Sequence, residues 1–405
     1  MPVDKCHRRL PVLACNIALI PATVTRIMLK KYLQRSKSAP LEVQLRNMSL
    51  NWLALLVPHL SRLSSLAVAV HHSSDFVNIA RRLGSPIPTL NEFGIVGEGL
   101  ELEIPSDIRS GHFLYVKKLR LVQVSSLRAP RAFPHVTELV WIAVSYTSGS
   151  VSRLLDTMVE LPALERVEIE FQGFYQFAEL TPGDSVTLPN VQRMSLRRSG
   201  GEILGLLEFI ELPSLTSLVI GGIQNMQQAF DILPVTSFGK NLPKLAQLPE
   251  MEVVTYPQRI HQRIRVAFRS TSQAKLDFYI KPRPSGHEHY RKDWGGLPAD
   301  SIRRLVVETD IETRDGEDGW VVDLLDDLGS LEHLEFRSRS GRTPQCLRRT
   351  IMEGVLSPEI KTLTVYFRSE REARQVHGLK DVVDGLDSGI SVTWTKDSAI
   401  PDDEQ

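Results

Sequence analysis

The stretch richest in ligating groups is Gly-His-Glu-His-Tyr-Arg-Lys-Asp-Trp, residues 286–294. His287 and His289 stand two apart, so on an extended strand both rings would share a face and could chelate a metal ion. Closed structural zinc sites take four ligands, however, and no further cluster accompanies this pair, so it reads as a polar surface loop. His71-His72-Ser73-Ser74-Asp75 reads as a strand-to-helix turn, with Ser73 or Ser74 as the helix cap. Asp315-Gly316-Glu317-Asp318-Gly319 lacks the spacing and the closing glutamate of a calcium loop. Gly97-Glu98-Gly99-Leu100-Glu101 lacks the lysine and hydroxyl of a phosphate loop. There is no Gly-x-Ser-x-Gly nucleophile elbow, and Cys6 beside His7 is only a sequence neighbour. No catalytic residue, cofactor or metal is expected, and an enzyme is disfavoured.

Bulk composition excludes further classes. The 405 residues are 42% hydrophobic and 24% charged, as in a folded globular chain. Lys+Arg and Asp+Glu are both 48, so no excess basic charge marks a nucleic-acid partner. Three scattered cysteines, Cys6, Cys15 and Cys346, fit a reducing compartment, cytoplasmic or nuclear. No apolar run reaches the roughly 18–20 residues that span a bilayer. Residues 10–21, LPVLACNIALIP, follow Lys5, Arg8 and Arg9, but Asn16 interrupts them and no cleavage site is clear. A short buried or docking segment is expected there, with a secretory signal as the alternative.

What organises the chain is repetition. LPALERVEIEF (161–171) returns as FPHVTELVWIA (133–143), LPNVQRMSLRR (188–198) and LPSLTSLVIGG (212–222). The common template is apolar, two of any kind, apolar, one of any kind, apolar. Its first position falls at Ser38, Leu63, Leu90, Val116, Val136, Leu164, Val191, Leu215, Leu248, Gln273, Ile302, Leu331 and Ile360, with a weak last copy at Ile390 and Val392. The copies recur about every 27 residues, inside the ~20–29-residue period of leucine-rich repeats. Proline stands two residues before the first position at Pro88, Pro134, Pro162, Pro189, Pro213 and Pro358. Lacking an N–H and biasing its predecessor away from helix, it ends one element before a strand starts.

The strand phrase has period two: Leu164, Val167 and Ile169 alternate with Arg166, Glu168 and Glu170. Between strands, residues 148–161, 200–212, 224–234 and 318–330 carry apolar residues at helical spacing, with Ser152 or Asp318 as candidate caps. One unit cannot fold alone. Three buried apolar side chains contribute roughly 5–9 kcal/mol, against roughly 27–54 kcal/mol to order ~27 residues. Stacking supplies each unit with two neighbours and one continuous core.

The expected fold is therefore α/β, an irregular leucine-rich-repeat-like solenoid with a curved parallel sheet and helices on its outer face. Residues 1–37 would form a helical N-terminal cap, 38–395 the array and 396–405 a disordered acidic tail. One departure is visible. The asparagine or cysteine that usually follows the third apolar position is replaced by His71, Glu98, Val124, Val144, Gln172, Ser199 and Ile223. Residues 221–300 are the least regular, with an inserted loop expected over 279–300.

Residues 28–45, MLKKYLQRSKSAPLEVQL, resemble a phrase of fungal F-box/leucine-rich-repeat-like proteins, in which a helix ending Leu-x-x-Ser leads through Ser-x-x-Pro-Leu into the first strand. The matching residues are Leu33, Arg35, Ser36, Ser38, Pro40, Leu41, Val43 and Leu45. The repeats at 154–171 and 186–198 are similar to that family's as well. Only 27 residues precede the matching helix, and the F-box that opens such chains is absent or truncated. The resemblance implies a protein–protein interaction scaffold, the substrate-recognition part of a ubiquitin-ligase subunit, with a cullin-ligase adaptor as partner if an F-box lies upstream. The alternatives are a secreted or cell-wall repeat protein, or a free recognition module with no ligase link. With the template's apolar positions in the core, the intervening residues would line the concave face. These are Lys118, Arg120, Arg166, Glu168, Glu170, Arg193, Arg197, Arg304, Glu308, His333, Glu335 and Arg337, the candidate surface for a protein partner.

Overall fold

The structure is a computed structural model. It describes residues 15–20, 26–45, 50–84, 86–97, 102–105, 113–144, 150–171, 185–197, 206–223, 238–243, 245, 250–256, 263–269, 275–280, 302–309, 325, 328–338, 359–367 and 391–396. The chain divides into two compact units, Met1–Thr181 and Pro182–Gln405. Both are mixed α/β, built on a large, mostly parallel sheet that does not close.

In the first unit the main strands run in the order β1 (Cys15–Ile20), β2 (Leu41–Leu45), β3 (Leu63–Val70), β4 (Glu92–Gly97), β6 (Lys118–Val122), β8 (Glu138–Val144) and β9 (Arg166–Phe171), all parallel. A second small parallel sheet pairs β5 (Leu102–Ile104) with β7 (Val124–Leu127). The expected helical cap over 1–37 does hold α1 (Arg26–Arg35), but Cys15–Ile20 is a strand alongside β2, so the sheet begins earlier than the repeats suggested. Asn16 interrupts the apolar run without ending the strand, since alternate strand positions need not face the core. Parallel neighbours need a crossover. Here α2 (Leu50–Leu56), α3 (Ser73–Leu83) and α4 (Ser150–Val159) serve, with short 3₁₀ turns at Val57–Arg62 and Pro130–Ala132.

The template's apolar positions form the core. Leu164, Val167 and Ile169 are buried, as are their counterparts Val136, Leu139 and Trp141. α3 buries Phe76, Ile79, Ala80 and Leu83 and sets Phe76 against Phe93 of β4, ring centroids 6.0 Å apart. Phe93, Phe113 and Phe133 stack at 4.5 and 4.8 Å. Phe113 and Phe133 occupy the position just before the proline slot. The same position holds Ile87 and Leu161 in this unit, and Leu188, Leu212, Leu245 and Leu328 in the second, all buried. The template omitted this fourth apolar position.

The proline slot is a turn. The N–H of Leu164 donates to the Leu161 carbonyl at 3.1 Å, closing a β-turn with Pro162 at its second residue, where proline's fixed φ fits. The same bond closes Ile87–Leu90, Phe133–Val136, Leu188–Val191 and Leu212–Leu215, and also Phe113–Val116 and Leu328–Leu331, which lack proline. One carbonyl of the preceding repeat then takes two successive amides. Asn91 accepts from Lys117 and Lys118, Lys117 from Thr137 and Glu138, and Thr137 from Glu165 and Arg166. In the second unit Gln192, Arg303 and Glu332 do the same. This joint satisfies the first backbone donors of each strand and fixes its register against the previous one.

After Val122 the chain turns through Gln123, at φ 54°, into β7. Val124 fills a slot where asparagine was expected. A backbone strand stands there instead, and the Val124 carbonyl accepts from the buried Trp141 Nε1 at 2.7 Å. Gly97 is required opposite this corner, because a Cβ there would collide with the Gln123 carbonyl oxygen.

The second unit runs β11 (Arg193–Arg197), β13 (Ser217–Ile223), β16 (Lys275–Ile280), β15 (Arg263–Arg269), β14 (Glu250–Tyr256), β17 (Arg304–Thr309), β18 (His333–Ser338), β19 (Thr362–Phe367) and β20 (Ser391–Lys396). A small parallel pair joins β10 (Val186–Thr187) to β12 (Ile210–Glu211). The expectation of a parallel sheet throughout fails at 250–280. β15 pairs antiparallel with both β14 and β16, so the three form a meander set into the parallel order. The outer two remain in phase: Leu276 and Phe278 align with Leu218 and Ile220, and Met251 and Val253 with Leu305 and Val307.

Two helix expectations also change. α4 starts at Ser150, so Ser152 lies inside it, and residues 210–211 of the expected helix 200–212 are strand. α5 (Phe238–Asn241) is a single turn, tied back by Asn241 Nδ2, which donates to the Leu207 and Glu208 carbonyls. Of the expected helix 318–330, Leu325 is helical and 328–330 are not; residues 279–280 of the expected loop 279–300 belong to β16, and Lys396 of the expected tail 396–405 ends β20, while the rest of these segments and the expected helix 224–234 lie outside the described residues.

Candidate functional site

The sheet face opposite the core carries the candidate residues in register. In the first unit three rows cross the strands. One runs Glu42, Ser65, Glu92, Lys118, Glu138, Arg166. The next runs Gln44, Ala67, Gly94, Arg120, Val140, Glu168, and the third Ala69, Val96, Val122, Ile142, Glu170. The face therefore grades from a ladder of alternating charge to an apolar strip. Side chains directly opposite on parallel strands are close enough to interact, and Lys118 meets Glu138 at 3.3 Å. Arg120 and Arg166 are exposed and make no ion pair among the described residues.

Burial on this face is uneven for a local reason. Val140 is 7% exposed and stands in register between Arg120 and Glu168. Around β3 and β4 the residues are small, and a depression with a volume of about 260 Å³ opens there, lined by Gln44, Ser65, Ala67, Glu92, Gly94 and Arg120 and walled by Val96 and Val122.

In the second unit Arg193 and Arg197 are exposed on β11. The register aligns Arg193 with Ser217 and Lys275, then Lys275 with Arg269, so the meander adds basic positions that the template did not reach. Arg265 enters the same set opposite Tyr279. Its alternation of Arg and apolar residues was readable in RIRVAFR, but no proline turn precedes it. Arg304 and His333 share a row with Thr362, and His333 Nδ1 lies 2.7 Å from Thr362 Oγ1. Glu308 lies opposite Arg337 in the next strand, and its own side chain is outside the described residues.

Glu335 differs from the expectation of a solvated strand face, since it is 5% exposed. Arg304 Nη2 reaches its Oε2 at 2.8 Å, and Arg337 donates Nε to Oε1 at 2.6 Å. The Arg337 guanidinium stands 5.3 Å above the Tyr366 ring, so Tyr366 helps hold the clamp. Along the sheet Glu335 is flanked by the short Val306 and Thr364, which let the arginines fold over it.

At the edge of the face Lys361 Nζ donates to Glu332 Oε2 at 2.6 Å. That bond, assisted by the charges of Lys361 and Arg303, holds the Glu332 carboxyl below its ordinary range. Lys240 likewise binds Glu211, with Thr187 donating to the same carboxylate, and lowers its pKa.

The 28–45 phrase forms a joint of its own. Ser36 Oγ donates to the Leu33 carbonyl at 2.9 Å at the end of α1, and Arg62 Nη2 reaches both groups. Leu33, Leu41, Val43 and Leu45 are buried. Beside Arg62, burial and then the guanidinium charge lower the His59 pKa. In His71–Asp75 the helix cap is His72, not Ser73 or Ser74. The His72 N–H donates to Asp75 Oδ2 at 3.1 Å, and Ser73 Oγ donates to the Glu103 carbonyl.

His287, His289 and residues 315–319 lie outside the described residues. Among the described residues no group of three or more His, Cys, Asp or Glu could hold a metal ion, and no helix is long and apolar enough to cross a membrane. Compared with protein-family models the chain matches none, and curated proteins give no match.

Proposed function

We propose that the chain is a non-enzymatic protein-recognition scaffold, a curved array of leucine-rich-repeat type whose concave sheet face takes a protein partner. The observation that carries this reading is the register of the open face. Charged side chains from successive strands stand in rows, and Arg120, Arg166 and Arg193 have no ion-pair partner among the described residues. A surface of alternating charge selects among partners and speeds encounter more than it adds affinity. The recurrent turn and shared-carbonyl joint support a repeat array, since each repeat's strand is held by the one before it.

The phrase at 28–45 supports a finer reading, the substrate-recognition part of an F-box-type ubiquitin-ligase subunit acting in the cytoplasm or nucleus. A photo-crosslinking residue at position 166 or 304 should capture one partner in cells, while one at Arg81 on α3 should not. Capture from position 81 alone would overturn the scaffold reading. Failure to co-purify a cullin-ligase adaptor would remove the ligase reading and leave the scaffold.

A further inference from the structure

We propose that the depression over β3 and β4 takes one large apolar side chain of a protein partner, presented between an acidic and a basic residue. The proposal rests on the scaffold reading and names its subsite.

The depression exists because of one row. Gln44, Ala67, Gly94 and Arg120 lie side by side on four adjacent strands, so the two smallest residues fall between two long ones. The floor is close-packed, since a Cβ on Gly94 would stand 3.1 Å from the Ala67 Cβ. Above it the next row is apolar, with Val96 and Val122 as a wall. The volume decides the class of occupant. About 260 Å³ falls below the roughly 300–1,000 Å³ of pockets that enclose small ligands, yet holds a leucine, methionine or phenylalanine side chain.

Charge decides what flanks that side chain. Arg120 lines one rim, exposed and without an ion pair among the described residues, and calls for a carboxylate. Glu92, on β4 one row away from Gly94, also lines the depression. Its cross-strand neighbour Lys118 is engaged by Glu138, so Glu92 is left to meet a cation. The lining thus carries both signs on the neighbouring strands β4 and β6, which a segment with complementary charges beside its apolar side chain would match.

The test is selection of displayed random dodecapeptides on the full chain, followed by affinity measurement on the enriched peptides. The expected motif is acidic–apolar–basic. Ala67→Phe fills the depression from the open face and should weaken binding by at least about 30-fold, as loss of a central anchor does. Arg120→Glu, which leaves the floor untouched, should shift the selected flank from acidic to basic, and melting curves check that both variants fold. Enriched peptides indifferent to both substitutions, or no enriched peptide, would overturn the proposal. So would self-association that Ala67→Phe abolishes, because the occupant would then be a second copy. Peptides sensitive to Arg337→Ala but not to Ala67→Phe would refute this subsite and leave the scaffold reading intact.

Discussion

Glu335→Gln keeps the side-chain shape and removes the charge from a carboxylate held by two arginines. The loss can be worked from the geometry. A hydrogen bond to a charged group contributes about 1.5–3 kcal/mol and a neutral one about half that. Two guanidinium partners would set the loss at about 1.5–3 kcal/mol. Arg304 and Arg337 keep 44% and 35% of their side chains exposed, however, so water offsets part of it. The expected cost is about 1–2 kcal/mol, more than the few tenths typical of a strand-surface change. Two compact units make a single unfolding midpoint ill-defined, so the measurement is hydrogen exchange of the β17, β18 and β19 amides in the full chain. A double-mutant cycle with Arg304→Ala should show coupling of about 1 kcal/mol. A loss under about 0.5 kcal/mol would mean that the carboxylate is not clamped, and the open face of these strands would then be ordinary solvated charge.

Three further outcomes are expected. Leu161→Ala, at the buried position before Pro162, should cost about 2–5 kcal/mol, read as lost exchange protection in β8 and β9; a change below about 1 kcal/mol would show that this position does not belong to the core. Gly97→Ala should sharply reduce soluble yield and thermal stability by driving a methyl into the Gln123 carbonyl, whereas a stable variant would mean the corner can shift. Glu332 has a depressed pKa in the folded state, so its contribution is present above the unfolded value and is lost as pH falls through the folded one. Lys361→Met should move the Glu332 titration, followed by carboxyl NMR, up toward the ordinary range, and an unmoved titration would refute the pairing.

The sequence carried the repeat because burial imposes period two and proline imposes a boundary, and both leave marks in one dimension. Leu164, Val167 and Ile169 were readable for that reason, and so was the phase of Leu276 and Phe278 inside an irregular region. β15 escaped because RIRVAFR has the alternation but follows no proline turn, and nothing local says that a strand runs antiparallel. The residue before the proline escaped although it was in every quoted phrase, since Phe113 and Phe133 stack only when neighbouring repeats meet.

The open face shows the same division more sharply. Which residues leave the core follows from alternation along one strand, so Arg120, Arg166 and Arg193 could be named from the sequence. What those residues do depends on register between strands. Ala67, Gly94 and Arg120 are unremarkable in their own repeats and become a floor and a rim only because β3, β4 and β6 align them. Glu335 sits two residues from Arg337 in the chain, but its burial also needs Arg304 from the preceding strand and Tyr366 from the following one. The register comes from the shared carbonyls of Asn91, Lys117, Thr137, Arg303 and Glu332, which are backbone groups that any residue could supply. A sheet face built this way can change its chemistry one side chain at a time while the joints that align it stay the same, and for that reason its character is set in rows across the strands and not in any motif along the chain.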